Sequence, residues 1–307
     1  MTRRTAVVVA CFFALATTSH ARLKTKIVRY GPHARHWFRI QYEPTGSPRA
    51  VNVHFHGGGF TSGSPNYGPL TRQLRLGKVT LVGATYRFID DQVTKLEVLQ
   101  DGARVVQYLR LHASEFNIDP DRISVSGYSA GGVIAAWIAM HDDIADPVSE
   151  DPVLTQSSRV KLCWLHKAQV HPVYIGDWAK YTPWNRARLA PTIFAYIKQH
   201  LFGDGFVEPF TRKEFATQSQ YQKARRAYRE KTFAFYQATP DDPPVAFLEN
   251  KTDDPLRYLK RIVPGNWNGL LHSPLLMIPL QRRLDEQDVI TKWGTSSQLK
   301  PFLLSNL

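Results

Sequence analysis

Short apolar runs alternate along this chain with longer segments whose apolar residues recur at the helical period. The run 79–86 is largely apolar and partly β-branched, which is typical of a strand buried on both faces of a sheet. The segment 92–116 has the helical period and predicts a long crossover helix. Strands are predicted at 27–30, 37–42, 51–55, 79–86, 122–126, 160–165 and 245–248. The alternation predicts an α/β fold on a mostly parallel, doubly wound sheet whose first two strands form an antiparallel start.

The segment 171–240 interrupts this alternation. It is rich in aromatic residues and lies between two predicted strands, so we predict a helical, aromatic cap-like insertion there. Its aromatic side chains could line an acyl or aryl pocket, although most of them are expected to pack helices against the core. Trp178 and Trp184 are the favoured pocket residues, because they lie in a stretch punctuated by Gly and Pro soon after a strand.

The first residues have the pattern of a secretory signal peptide. Arg3 and Arg4 precede the apolar stretch 6–16, and Ser19-His20-Ala21 has the small-x-small form of a cleavage site. The sequence therefore predicts a signal peptide at 1–21, a single α/β domain at 22–307, and a periplasmic or secreted protein. The apolar stretch is short for a membrane span, so no stable membrane insertion is expected after cleavage, with an uncleaved anchor as the alternative.

Composition adds several expectations about partners. The chain has 307 residues, 43% of them hydrophobic, enough for one domain with a buried core. Of its two cysteines, only Cys163 would remain after cleavage, so no internal disulfide is expected, and its apolar surroundings predict a buried strand position. The net charge of +13 is scattered, and the basic segment 223–231 is expected to be the solvated face of a helix rather than a nucleic-acid site. No cofactor or metal is expected, and nothing in the sequence indicates the oligomeric state.

The chemistry is concentrated in two glycine-containing motifs. The first is Gly127-Tyr128-Ser129-Ala130-Gly131, which follows the predicted strand 122–126 and precedes the helix-like run 132–140. A strand, a tight turn and a helix in this order form a nucleophile elbow, in which the glycines permit a turn that exposes the serine hydroxyl at the carboxyl edge of the sheet. The context predicts that Ser129 is a nucleophile.

The second motif is a glycine loop, His56-Gly57-Gly58-Gly59-Phe60, directly after the predicted strand 51–55. Acyl transfer develops negative charge on a carbonyl oxygen, and preorganised N–H groups stabilise that charge. Glycines allow the backbone to approach such an oxygen closely. The amides of Gly57 and Gly58, with that of Ala130 after the serine, are therefore the predicted oxyanion hole.

Together these motifs resemble the α/β-hydrolase superfamily, in particular the carboxylesterase/lipase branch related to hormone-sensitive lipase. The resemblance covers residues 51–140 and resumes at 243–257. Tyr128 departs from the acidic residue that is usual in the lipase branch and resembles instead the carboxylesterase and feruloyl-esterase-like groups (BD-FAE and similar esterases). The resemblance implies an α/β-hydrolase fold with a cap and a serine hydrolase mechanism, in which His56 braces the glycine loop.

A serine hydrolase also needs an acid and a histidine, which on this fold follow the serine in that order. Asp254, after the predicted strand 245–248, resembles the acid position of the family. The adjacent Asp253 and the strand-end residue Glu249 remain alternatives. An ordinary role in a turn or at a helix N-terminus is also open for the two aspartates.

The histidine does not stand where the family resemblance leads us to expect it. The family usually carries it after the last strand, but the sequence after Asp288 contains no histidine. The only histidine after Asp254 is His272, ahead of a predicted helix at 275–286. Chain order therefore makes His272 the candidate base, with a surface position at the start of the helix as the alternative.

Two hypotheses follow from these residues. The first is an exported serine hydrolase that cleaves small acyl or aryl carboxylic esters, with groups on polysaccharides among the candidate substrates. The second is a catalytically impaired protein of the same fold that binds a carbohydrate or another partner. The two intact motifs favour the enzyme, while the missing histidine near the carboxyl terminus favours the binding module.

Overall fold

The computed structural model describes residues 23–170, 209–249, 272 and 277–307. Within these ranges an eight-stranded sheet has the order β1-β2-β4-β3-β5-β6-β7-β8. Its strands are β1 (Lys24–Arg29), β2 (Trp37–Tyr42), β3 (Arg49–Phe55), β4 (Thr80–Ala84), β5 (Ile118–Tyr128), β6 (Leu162–His166), β7 (Val245–Leu248) and β8 (Thr291–Gly294).

The sheet is antiparallel at one edge and parallel elsewhere. β2 is antiparallel to both β1 and β4, and every other neighbouring pair is parallel. The predicted fold class and the antiparallel start are therefore confirmed. The register pairs Phe55 at the end of β3 with Gly127 near the end of β5. Because these strands are parallel neighbours, the glycine loop and the elbow leave the sheet side by side.

Helices cover both faces of the sheet. The described helices are α1 (Thr71–Leu76), α2 (Lys95–Leu111), α3 (Ala130–Met140), α4 (Gln218–Thr232), α5 (Ala234–Gln237), α6 (Ile278–Asp285) and α7 (Ser296–Ser305). One core cluster joins the sheet to α2 and α3, and a second joins the opposite face to α1 and α7. Every residue of α3 is buried, because it lies between the sheet and its neighbouring helices.

Several predicted boundaries change for local reasons. The long helix was predicted at 92–116, but α2 begins only at Lys95. Thr94 caps it, since its hydroxyl oxygen accepts a hydrogen bond from the Glu97 amide at 3.3 Å and its own amide donates to the Glu97 carboxylate at 2.7 Å. β5 is longer than the predicted 122–126 and runs into the elbow. Cys163 is fully buried on β6 and the basic segment lies on the mostly exposed helix α4, both as predicted.

The carboxyl-terminal elements β8 and α7 were not predicted. β8 has only four residues, Thr-Lys-Trp-Gly, so it has little strand pattern of its own. It is fixed by parallel pairing with β7. α6 lies inside the helix predicted at 275–286.

Part of the predicted insertion 171–240 is described, from residue 209 onward. The side chain of Trp137 on α3 donates a hydrogen bond to the Lys231 carbonyl at 2.8 Å, and Ala234 is buried close to α3. The carboxyl-terminal part of this segment is thus packed on the main domain. Trp178, Trp184 and the predicted signal peptide lie outside the described residues. Within the described ranges, no helix has the length and apolar character that crossing a membrane requires.

Candidate active site

Ser129 occupies a strained turn between β5 and α3. Its backbone angles are φ 51° and ψ −120°, a region that side-chain-bearing residues rarely adopt. The Ser129 amide donates a hydrogen bond to the His166 carbonyl at the end of β6, 3.0 Å away, and α3 begins at the next residue. The turn has the strand–turn–helix form that the sequence predicted.

Glycines allow the elbow and the glycine loop to touch through their backbones. A Cβ atom on Gly131 would lie 2.1 Å from the Phe55 carbonyl oxygen, and one on Gly127 would lie 2.1 Å from the Gly131 carbonyl. A Cβ on Gly57 would lie 3.2 Å from the Cβ of Ser129. Gly57 is therefore next to the candidate nucleophile. No larger residue fits at Gly127 or Gly131 without movement of the backbone, nor at Gly57 without movement of the Tyr128 ring.

Two buried side chains fix the direction of the amides in the glycine loop. The Tyr86 hydroxyl donates to the His56 carbonyl at 2.7 Å, and His56 Nδ1 lies 2.7 Å from the Gly57 carbonyl. In a planar trans peptide the N–H points opposite to the C=O. Fixing these two carbonyls thus fixes the directions of the Gly57 and Gly58 amides as well.

The protonation of His56 follows from its surroundings. Burial lowers the pKa of His56, although the contact with the Gly57 carbonyl opposes the shift. A neutral ring has one N–H, and a carbonyl can only accept, so Nδ1 carries the proton. Nε2 then accepts from the Thr85 hydroxyl at 3.3 Å, and the ring stacks on Tyr86 with centroids 4.6 Å apart. His56 is in this way a brace for the loop, as the family resemblance implied.

The amide of Ala130 lies at the first position of α3, directly after Ser129. The first amides of a helix have no carbonyl partner within it, and the helix dipole adds a partial positive charge there. This amide is therefore suited to an anionic oxygen. Gly57 and Ala130 both border Ser129, whereas the role of Gly58 in the oxyanion hole stays a prediction.

His272 lies beside Ser129 although 143 residues separate them in the chain. His272 Nε2 is 3.0 Å from the Ser129 Oγ, within hydrogen-bond reach of a general base. His272 comes between β7 and α6 in the sequence, whereas the family usually carries its histidine after the last strand. The structure brings this residue to the nucleophile from an unusual place in the chain.

The acid position is only partly described. Asp253 and Asp254 lie outside the described residues. Glu249, the third alternative, lies with its carboxylate 3.6 Å from His166 Nε2 and 3.5 Å from Lys167 Nζ. Burial alone would raise the pKa of Glu249, but hydrogen bonding from His166 and the charge of Lys167 lower it below its usual value.

Sequence reasoning missed three residues that shape this site. Tyr86 orients the Gly57 amide, the His166 carbonyl holds the Ser129 amide, and the Tyr128 ring stacks on His272. The only signal in the sequence was the unusual Tyr128 inside the elbow. Among the described residues, no group of three or more His, Cys, Asp or Glu side chains is placed to hold a metal ion.

Comparison with known proteins agrees with this geometry. The BD-FAE family model matches residues 41–162, which include both the glycine loop and the elbow. This match and the order of the strands point to one fold. The chain has the α/β-hydrolase fold. The glycine loop and the elbow, which carry the family resemblance, both lie inside the matched segment.

Two curated relatives match about a third of the chain. An AB hydrolase superfamily protein of Schizosaccharomyces pombe is 32% identical over 111 residues, which are 36% of this chain and 32% of that protein. Esterase LipI of Mycobacterium tuberculosis is 32% identical over 114 residues, 36% of this chain and 35% of that protein. Each match therefore spans only about a third of the relative's length.

Solved structures resemble this chain over most of its length. A truncated carbohydrate esterase from gut microbiota has a TM-score of 0.64 at 14% identity, covering 95% of this chain and 98% of that one. An acetyl ester-xyloside bifunctional hydrolase from Caldicellulosiruptor lactoaceticus has a TM-score of 0.58 at 15% identity, covering 91% and 96%. At these identities the likeness establishes the fold.

Proposed function

We propose that this protein is a serine esterase that cleaves small acyl or aryl carboxylic esters through an acyl-enzyme on Ser129. The observation that carries the proposal is the 3.0 Å contact between His272 Nε2 and Ser129 Oγ, at a strained elbow beside the glycine loop. A serine hydroxyl is a poor nucleophile until a base takes its proton, and this contact supplies that base.

The reaction then proceeds in two halves. Ser129 Oγ attacks the ester carbonyl while His272 Nε2 accepts its proton, and the resulting oxyanion receives hydrogen bonds from the amides of Gly57, Gly58 and Ala130. His272 returns the proton to the leaving alkoxide, which departs as the alcohol. Water activated by the same imidazole hydrolyses the acyl-enzyme and restores Ser129. Asp254, with Asp253 as the alternative, is proposed to orient His272 through its other ring nitrogen.

The substrate class rests on what resembles this chain. One solved structure is named as a carbohydrate esterase and another as an acetyl ester-xyloside bifunctional hydrolase, and a curated relative in Salmonella schwarzengrund is named as an acetyl esterase. We therefore propose acetyl and other small acyl esters, with those on polysaccharides as the favoured natural form. The amino-terminal pattern supports export to the periplasm or beyond, where such polymers are accessible.

The binding-module alternative rested on the absence of a histidine near the carboxyl terminus. The contact of His272 with Ser129 removes the main reason for that alternative. The glycine loop and the strained elbow also have no use in a protein that only binds, since the backbone strain at Ser129 lowers stability without adding a contact surface.

The first experiment measures hydrolysis of p-nitrophenyl acetate and butyrate by the purified protein. Wild type should turn over both esters and should be labelled by a fluorophosphonate probe, and Ser129→Ala should abolish turnover and labelling. Absence of both in a folded wild type would refute the esterase function.

A second experiment tests the base. His272→Ala should lower kcat by about a thousandfold or more, the usual cost of losing a triad base. His112→Ala is a matched control, because His112 follows the carboxyl end of α2 and its ring stacks on Tyr108. It should leave kcat unchanged. Asp254→Asn and Asp253→Asn, measured in parallel, identify the acid by the larger loss of kcat.

A further inference from the structure

The tyrosine inside the elbow lies face to face with the candidate base. The Tyr128 and His272 rings have centroids 5.3 Å apart and planes inclined by only 8°, an offset stack. The Tyr128 ring has two further neighbours. Its centroid is 5.1 Å from that of the His166 ring, and a Cβ on Gly57 would lie 2.6 Å from Tyr128 Cδ1. The ring is therefore held between the glycine loop, the end of β6 and His272.

We propose that Tyr128 is a positioning residue that holds the His272 imidazole in line with Ser129 and stabilises the imidazolium formed during the reaction. This inference rests on the proposed esterase function. It concerns a residue that does not itself touch the reacting atoms.

His272 needs a positioning residue because of its place in the chain. The base is supplied by the connection between β7 and α6 rather than by a turn after the last strand. Tyr128, by contrast, is the last residue of β5 and precedes the nucleophile directly. Tyr128 and Ser129 are neighbours at the end of β5. A stack of His272 on Tyr128 therefore fixes the plane of the imidazole relative to the Ser129 hydroxyl.

The stack also favours the charged form of the base. When His272 accepts the serine proton, a positive charge develops over the face of an aromatic ring, which attracts cations within about 6 Å.

The ring of Tyr128, rather than its hydroxyl, carries the proposed role. Within the ranges that the structure describes, the Tyr128 hydroxyl makes no hydrogen bond, whereas both ring contacts are to histidines. Tyr128→Phe keeps the ring and removes the hydroxyl, and Tyr128→Leu removes the ring. The two variants separate the alternatives.

The test compares kinetics of these variants on p-nitrophenyl acetate. Tyr128→Leu should lower kcat about tenfold with KM changed less than about twofold, because the stack acts on the base and not on substrate binding. Tyr128→Phe should keep at least about half of the wild-type kcat. Tyr108→Leu is the matched control, since Tyr108 stacks on His112 with centroids 4.2 Å apart on α2, and it should leave kcat unchanged.

A readout independent of activity completes the test. In protein labelled with ¹³C at the histidine ring, the ring current of Tyr128 should shift the His272 Hε1 resonance, which His272→Asn identifies. The shift should persist in Tyr128→Phe and disappear in Tyr128→Leu. An unchanged kcat in Tyr128→Leu, an equal loss in Tyr128→Phe, or an unmoved His272 resonance would each overturn the proposal. Loss of turnover and labelling in wild type would instead refute the esterase function, while the spectrum still decides whether the stack exists.

Discussion

The strained backbone at Ser129 should be measurable as a loss of folding stability. At φ 51° and ψ −120°, a residue with a Cβ is held in a sparsely populated conformation, which costs on the order of 1–3 kcal/mol. Glycine adopts positive φ without this cost. Replacing the residue by glycine should therefore release the strain.

The comparison that isolates the strain is Ser129→Gly against Ser129→Ala. Both variants lose the hydroxyl and its contact with His272, and they differ only in the Cβ. The glycine variant is also destabilised by about 0.4–1 kcal/mol relative to the alanine variant, because its unfolded chain has more conformational freedom. Subtracting this from the released strain leaves Ser129→Gly more stable than Ser129→Ala by about 1 kcal/mol.

Urea unfolding followed by circular dichroism gives the measurement. With an m-value of about 3 kcal/mol/M for a chain of this size, 1 kcal/mol corresponds to a rise of about 0.3 M in the midpoint. Ala227→Gly on the exposed face of α4 is the control, since the same loss of a Cβ in an ordinary helix should lower stability by about 1 kcal/mol. A midpoint for Ser129→Gly at or below that of Ser129→Ala would refute the argument from strain.

Three further predictions concern buried groups. Tyr86→Phe should lower kcat about tenfold with little change in KM, because the His56 carbonyl loses its donor and the Gly57 amide loses its fixed direction. Burial lowers the pKa of His54 to about 3, so the unfolding free energy should fall by up to about 1.4 kcal/mol per pH unit as pH drops from about 6.5 toward 3, and His54→Asn should flatten that slope. Burial also raises the pKa of the Cys163 thiol, so iodoacetamide should modify it only after unfolding, as seen by mass spectrometry.

Each of these has a clear contradicting result. Wild-type kcat in Tyr86→Phe would mean that the loop holds its amides without that hydroxyl. The pKa of His54 is lower in the folded protein than in the unfolded chain. The stability that neutral His54 contributes is therefore present above about pH 6.5 and is lost below it. An unchanged slope in His54→Asn would therefore assign the acid sensitivity to other groups. Rapid modification of Cys163 in native protein would show that β6 opens readily.

The sheet was largely readable from the sequence because its central strands are buried on both faces. β4 and β7 consist of consecutive buried residues, so their apolar runs stand out. β2 and β7 were predicted at their observed boundaries. β8 was missed because an edge strand of four mixed residues has no run to detect, and its partner β7 defines it.

The elbow and the glycine loop were readable for a different reason. Both depend on close backbone contacts that only glycine permits, so the glycines in the sequence indicate the turns. The side chains that orient these turns leave no such local pattern in the sequence. Tyr86 reaches the His56 carbonyl from 30 residues away, and Tyr128 meets His272 only through the tertiary fold. Chain order was enough to nominate His272 but could not place it at 3.0 Å from the nucleophile.

His272 precedes the edge strand β8 in the chain, so no residue after that strand takes part in the Ser129–His272 contact. β8 pairs with β7 over only four residues, and an edge strand of this length frays more easily than the strands beside it. Where a histidine follows the last strand, each such opening would carry the base away from the serine. Because His272 precedes β8 in the chain, local opening of β8 need not move His272 away from Ser129.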